Sequence, residues 1–176
     1  LPDLAADSAA YIGSMCRLSV RLMQLIALSL DLPEDYFDQM HGAPMVTLRF
    51  LRYPPQPANA DDRTFGAGAH TDWGAITILA QDTHGGLEVS MPDGRWVAAL
   101  PVAGSLVVNL GDMIPRWTNG RYHSNPHRVR NVFSGVKPRH SIPFFYNPDY
   151  EALVKPVATC VPVGEYPAFE PCTVGE

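Results

Sequence analysis

Residues 68–82 read GAHTDWGAITILAQD. A histidine and an aspartate stand two apart, and a short run of β-branched and aliphatic residues follows at once. Such a run, bounded by turn residues, predicts a buried β-strand. In an extended segment, residues i and i+2 project to the same face. His70 and Asp72 are therefore expected to converge on one point at the mouth of a strand. Two metal-seeking side chains do not make a site, so the rest of the chain must supply partners.

The surrounding texture is that of a mainly β protein. MVTLRFLRY (45–53) is rich in β-branched and aromatic residues and stops at Pro54-Pro55. PPQPANADDRTFGAG (54–68) reads as a loop. The runs AITILA, GLEVS, RWVAAL, SLVVNL, HRVRNV and SIPFFY follow, divided by THGG, PDG, VAG, TNG and SGVKP. Short strands at near-regular spacing predict a sandwich, barrel or jelly roll. Ahead of them, residues 3–30 read as a helix, with Met15, Leu18, Leu22, Leu25 and Ser29 stepping by three and four beside Ile26, and Asp3 or Asp7 as its cap. DLPEDYFDQM (31–40) predicts a second short helix opening at Pro33. The organisation expected is a helical N-terminal support over 1–44, a β core over 45–155 and an extended tail over 156–176 that wraps the surface.

Composition narrows the class. The 176 residues carry 46% hydrophobic side chains and a net charge of −5, which suits one globular domain with a packed core. No basic block of five or more residues occurs, so nucleic acid is not an expected partner. No apolar run approaches the roughly 18 residues of a membrane span. The three cysteines are widely spaced and form no CxxC pair, which predicts a reducing compartment, the cytoplasm. No basic segment followed by an apolar core opens the chain, which begins at Leu1 rather than Met and is expected to continue upstream.

A third ligand is available in NPHRVRN, where His127 opens a predicted strand that a jelly roll can return beside the first. Of the six histidines, His41, His84, His123 and His140 read as ordinary surface or core positions. Two histidines and one carboxylate form the facial triad of non-haem Fe(II) oxygenases; zinc is the competing metal. In KPRHSIPFF, Arg139 and Ser141 are again two apart. A guanidinium on the inner face of a strand needs an anion, and it binds carboxylates bidentately. A dicarboxylate that reaches the metal at one end and Arg139 at the other satisfies both halves. Trp73 and Phe145 are candidate pocket walls. Phe145 shares the parity of Arg139 and Ser141, whereas Trp73 would point away from Asp72 on an ideal strand.

The motifs HTD (70–72), NLGDMIPRWTNGRYHSNPHRV (109–129) and RHSIPFFYNP (139–148), with LRYPPQP and GGLEV, resemble the 2-oxoglutarate/Fe(II)-dependent dioxygenases of the isopenicillin-N-synthase-like branch. The resemblance runs from about residue 11 to 176. It implies a double-stranded β-helix with iron on His70, Asp72 and His127. It implies 2-oxoglutarate on that iron and on Arg139 and Ser141, with Tyr53 beside it. The activity implied is the O2-dependent oxidation of a small molecule with release of succinate and CO2. Family members run near twice this length, so the chain reads as the core of a longer protein. Leu51 replaces a family asparagine, and Glu88 replaces a frequent glutamine; an outward Glu88 is a solvated charge, an inward one favours a cationic substrate. Asn109 and Asp112 of NLGD and Asn119 and Gly120 of TNG are candidates for supporting roles, with turn chemistry as the competing reading. Three other readings share these motifs: an isopenicillin-N-synthase-like oxidase, an ethylene-forming enzyme, and a non-enzymatic metal-binding jelly roll.

Overall fold

The computed structural model describes residues 2–55, 65–130 and 137–176. Helix α1 (Leu4–Ser29) comes first, and eleven strands, one short α-helix and two 3-10 turns follow among the described residues. The larger sheet contains β1 (Met45–Leu48), β2 (Leu51–Tyr53), β4 (Ile76–Gln81), β7 (Val107–Leu110) and β9 (Arg139–Asn147). β9 is its spine. It pairs with β1 along residues 144–147, with β2 along 139–141, and on its other side with β4, which pairs with β7. The second sheet has the order β3 (Phe65–His70), β8 (His127–Arg130), β5 (Leu87–Ser90), β6 (Trp96–Ala98). Every pairing is antiparallel. The two sheets make the double-stranded β-helix that the family resemblance implies, one of the architectures the strand pattern allows.

The pleat of the larger sheet separates core from cavity. Along β9, Phe144 and Tyr146 are buried in the core, whereas Arg139, Ser141, Pro143 and Phe145 line a cavity between the sheets. β4 does the same, with Ile76 and Ile78 in the core and Thr77 and Leu79 on the cavity. This is the two-residue period of a strand covered on both faces. The cover on the core side is α1.

Four sequence expectations change here. The fully buried face of α1 is Met15, Ser19, Met23 and Ala27, while Leu25 is 61% exposed. The small Ser19 and Ala27 let the helix approach β4 and β9 closely, so steps of four through small residues outrank the larger leucines. Asp3 occupies the N-cap position but makes no side-chain capping bond. The segment 31–40 forms successive four-residue turns (Tyr36 N to Pro33 O, Asp38 N to Asp35 O, Met40 N to Phe37 O) and a 3-10 turn at Asp38–Met40, not an α-helix. Its buried Phe37 packs against Trp117 at 4.9 Å, and this contact outweighs helical propensity. The end of the expected loop 54–68 is strand β3; residues 56–64 lie outside the described residues, as do 131–132 of HRVRNV.

The sequence 109–120 also holds an unexpected helix, α2 (Met113–Trp117), with Pro115 in its first turn where a missing N–H costs nothing. Past residue 150 the chain does more than wrap. β10 (Leu153–Val154) pairs with β11 (Cys172–Thr173), and Val157 and Val174 are buried.

Candidate functional site

His70 and His127 are a cross-strand pair in the β3–β8 register, with ring centroids 4.4 Å apart. Each ring is held through Nδ1: His70 by the carbonyl of Gly68 at 2.7 Å, His127 by that of Asn125 at 3.2 Å. A carbonyl only accepts, so Nδ1 carries the hydrogen and Nε2 keeps its lone pair. Both Nε2 atoms face Asp72 Oδ1, at 3.9 Å and 3.6 Å, beyond hydrogen-bond reach. One donor atom from each of the three residues lies within 4.8 Å of the others.

Asp72 divides its two oxygens between two tasks. Oδ2 accepts hydrogen bonds from Thr77 Oγ1 at 2.7 Å and Asn109 Nδ2 at 2.8 Å. Thr77 and Asn109 are themselves partners in the β4–β7 register. Oδ1 is left to face the imidazoles. Asp72 is buried and lies two residues past the end of β3, where the chain enters a turn through residues 73–75. That turn passes through Gly74 at φ +106°. It is stitched to residues 111–113 by Gly111 N to Ala75 O, Asp112 N to Asp72 O and Met113 N to Gly74 O. Asp112 Oδ2 also accepts from Thr71 Oγ1 at 3.1 Å. A Cβ on Gly111 would lie 2.4 Å from Gly74 O, so the close approach requires glycine there. NLGD thus acts as the splint of the Asp72 turn. The role of Asn109 and Thr77 needs the strand register and has no signal in spacing.

Across the cavity, Arg139 is buried. Its Nε donates to Gly85 O at 2.6 Å and Nη2 to Gln81 Oε1 at 3.3 Å, while buried Nη1 has no hydrogen-bond partner. No carboxylate pairs with Arg139 among the described residues. Burial pulls its pKa below the ordinary arginine value, opposed by Tyr53 and Asp82. Tyr53 faces it in the β2–β9 register, and the guanidinium carbon sits 5.1 Å from the Tyr53 ring centroid. Ser141, buried, pairs with Leu51 in the same register.

His70, Asp72, His127, Arg139, Ser141, Tyr53 and Phe145 all border one cavity of about 220 Å³, whose remaining wall is mostly apolar. Trp73 does not reach it: the side chain is 46% exposed, because the turn after Asp72 carries it outward. Leu51 lines the cavity where the family motif has asparagine. Glu88 pairs instead with Arg128, 2.7 Å away and opposite it in the β5–β8 register. Arg128 in turn packs against the rings of Trp96 and Phe65. Glu88 is thus part of a closed ion pair and does not border the cavity. Among the other histidines, His84 and His140 approach Asp82, and His41 stacks on Tyr146 at 4.9 Å.

A profile of the 2OG-Fe(II) oxygenase superfamily matches residues 43–148, a span that holds every member of this constellation. The chain belongs to that superfamily. A 2-oxoglutarate-Fe(II) type oxidoreductase of Emericella nidulans is 42% identical over 174 residues, which is 98% of this chain and 49% of the relative. A full-length Neurospora crassa protein crystallised with alpha-KG matches this oxygenase fold with TM-score 0.92 at 29% identity, covering 98% of this chain and 55% of that one. A further structure of the Neurospora protein holds alpha-KG and thymine. The rice dioxygenase for auxin oxidation matches with TM-score 0.86 at 30% identity, covering 99% and 57%. The chain spans about half the length of the curated relatives it matches. No helix among the described residues is long and apolar enough to cross a membrane.

Proposed function

We propose that the protein of which this chain is part is an Fe(II)- and 2-oxoglutarate-dependent dioxygenase acting on a small molecule. One observation carries the reading: three convergent donor atoms and a buried guanidinium nitrogen without a partner border the same cavity. The donor set suits Fe(II), because two neutral imidazoles and one carboxylate oxygen leave other coordination positions open. His70, Asp72 and His127 are the assigned ligands. Arg139, with Ser141 and Tyr53, is assigned the distal carboxylate of 2-oxoglutarate. Charge supports the assignment: Asp72 and the dicarboxylate offset the iron and Arg139, so the apolar cavity is left neutral.

Bound iron supplies the coupling of O2 and 2-oxoglutarate to oxidation of a substrate C–H bond, with succinate and CO2 as co-products. The chain's own part is positioning. Thr77 and Asn109 aim Asp72, backbone carbonyls set both histidine tautomers, and the apolar wall limits water. A small-molecule substrate accords with the thymine held by the Neurospora relative. The three free cysteines accord with a reducing compartment, and we assign the protein to the cytoplasm. A metal-binding protein without activity gives no reason for Arg139 Nη1 to lie buried without a partner.

The test is an anaerobic titration of the full-length protein with Fe(II) and then 2-oxoglutarate. A visible charge-transfer band that needs both, followed by succinate release on admission of O2, is the expected result. Iron bound without a band would favour the oxidase reading. No iron binding at all would sink the proposal.

A further inference from the structure

The cavity has a second guanidinium, which the proposed chemistry leaves unused. Arg49 lies between β1 and β2 and borders the cavity. Residues 49, 51 and 53 all line it, so one chain segment presents a ladder against β9. Tyr53 faces Arg139 and Leu51 faces Ser141, and Arg49 N donates to Pro143 O at 3.0 Å. Arg49 is therefore four strand residues from the Arg139 end, about 13 Å along the backbone.

Arg49 is exposed and borders the cavity. Its guanidinium carbon lies 5.3 Å from the Phe145 ring centroid, a cation–π contact that holds the group toward the cavity. It makes no ion pair with a described residue. With iron, Asp72, 2-oxoglutarate and Arg139 mutually neutral, Arg49 adds one uncompensated positive charge. The cavity lining also includes the apolar Leu79, Leu87, Val89 and Val107.

We infer that Arg49 anchors the substrate and that the substrate is a monocarboxylic acid with an apolar body. The carboxylate sits on the Arg49 fork, Phe145 flanks it, and the apolar body extends toward the metal ligands. This inference rests on the function proposed above.

The test uses the full-length protein loaded anaerobically with Fe(II) and 2-oxoglutarate. Calorimetry gives dissociation constants for phenylacetate and octanoate, each against its neutral amide. The acids are expected to bind about 10- to 100-fold more tightly than the amides, the value of a charge-assisted bond. R49Q removes that preference and R49K keeps part of it, while 2-oxoglutarate affinity stays at the wild-type value in both. Thermal unfolding confirms that the variants fold. Equal affinity for acid and amide, no measurable acid binding, or a preference that survives R49Q overturns the inference. If 2-oxoglutarate binds normally in that experiment, the proposed function survives. If 2-oxoglutarate does not bind the wild type, both fall together.

Discussion

Replacing Thr77 by valine keeps the side-chain shape and deletes one hydrogen bond, the 2.7 Å contact to Asp72 Oδ2. The remaining restraint on that oxygen is the 2.8 Å bond from Asn109. A hydrogen bond to a charged group contributes about 1.5–3 kcal/mol. Losing an outer-shell partner of a metal ligand costs about 10- to 100-fold in metal affinity, which is the same range. The fold should suffer less, because Asp72 borders the cavity and water can replace the hydroxyl. T77V is therefore expected to bind Co(II), an air-stable stand-in for Fe(II), about 10- to 100-fold more weakly, with its urea midpoint close to wild type. Calorimetry on the full-length protein measures the first quantity and denaturation the second. Asn109→Ala should behave alike, and the double variant should deviate from additivity by at least about 0.5 kcal/mol, since both bonds end on one oxygen. A T77V protein that binds Co(II) within twofold of wild type would refute the claim that Oδ2 is held so that Oδ1 can serve the metal.

Other perturbations address separate parts of the structure. Arg139→Lys loses the guanidinium fork and the bond to Gly85 O, so 2-oxoglutarate affinity should fall about 10- to 100-fold while Co(II) affinity holds; equal losses in both would remove Arg139 from its assigned role. Gly111→Ala places a methyl 2.4 Å from Gly74 O, and the loss of about 1–3 kcal/mol should lower the Tm and the metal affinity together. His41 is half-buried, its Nδ1 donates to Phe37 O at 2.9 Å and its buried Nε2 has no partner. Burial lowers its pKa below 6.5, against the raising effect of the Phe37 carbonyl, Asp149 and Asp38. The folded state thus favours neutral imidazole: the His41 contribution is complete above about pH 6.5 and is lost as pH falls toward the lowered value. His41→Phe should flatten that part of the urea-midpoint profile between about pH 7 and 5, and an unchanged slope would count against the assignment.

How much was legible depends on the range of the contacts. Strand periodicity is local, and the alternation through Arg139, Ser141, Pro143 and Phe145 can be read directly from SIPFFY and its flank. The identity of the donor trio was also readable, because His70, Asp72 and His127 are the residue types a facial site requires. Their geometry was not. Asp72 lies past the end of β3, at the entrance to a bend that Gly111, Asp112 and Met113 hold through backbone hydrogen bonds, and no local pattern announces those partners. Thr77 and Asn109 gain their meaning only when β4 pairs with β7. Arg49 sits where MVTLRFLRY is interrupted between β1 and β2, so alternation alone did not assign its face. The short turns at 31–40 and the α1 face answer to Phe37, Trp117 and the approach of β9, which no local pattern contains.

The two histidines belong to the smaller sheet, Arg139, Ser141 and Tyr53 to the larger, and Asp72 to the connection between them. A diacid held at both ends would therefore act as a strut between two walls whose separation is set by the core and not by the ligand. Such a frame is a caliper. It measures the number of carbons between two carboxyl groups, and it should reject the four-carbon and six-carbon homologues of 2-oxoglutarate even though both carry the same functional groups.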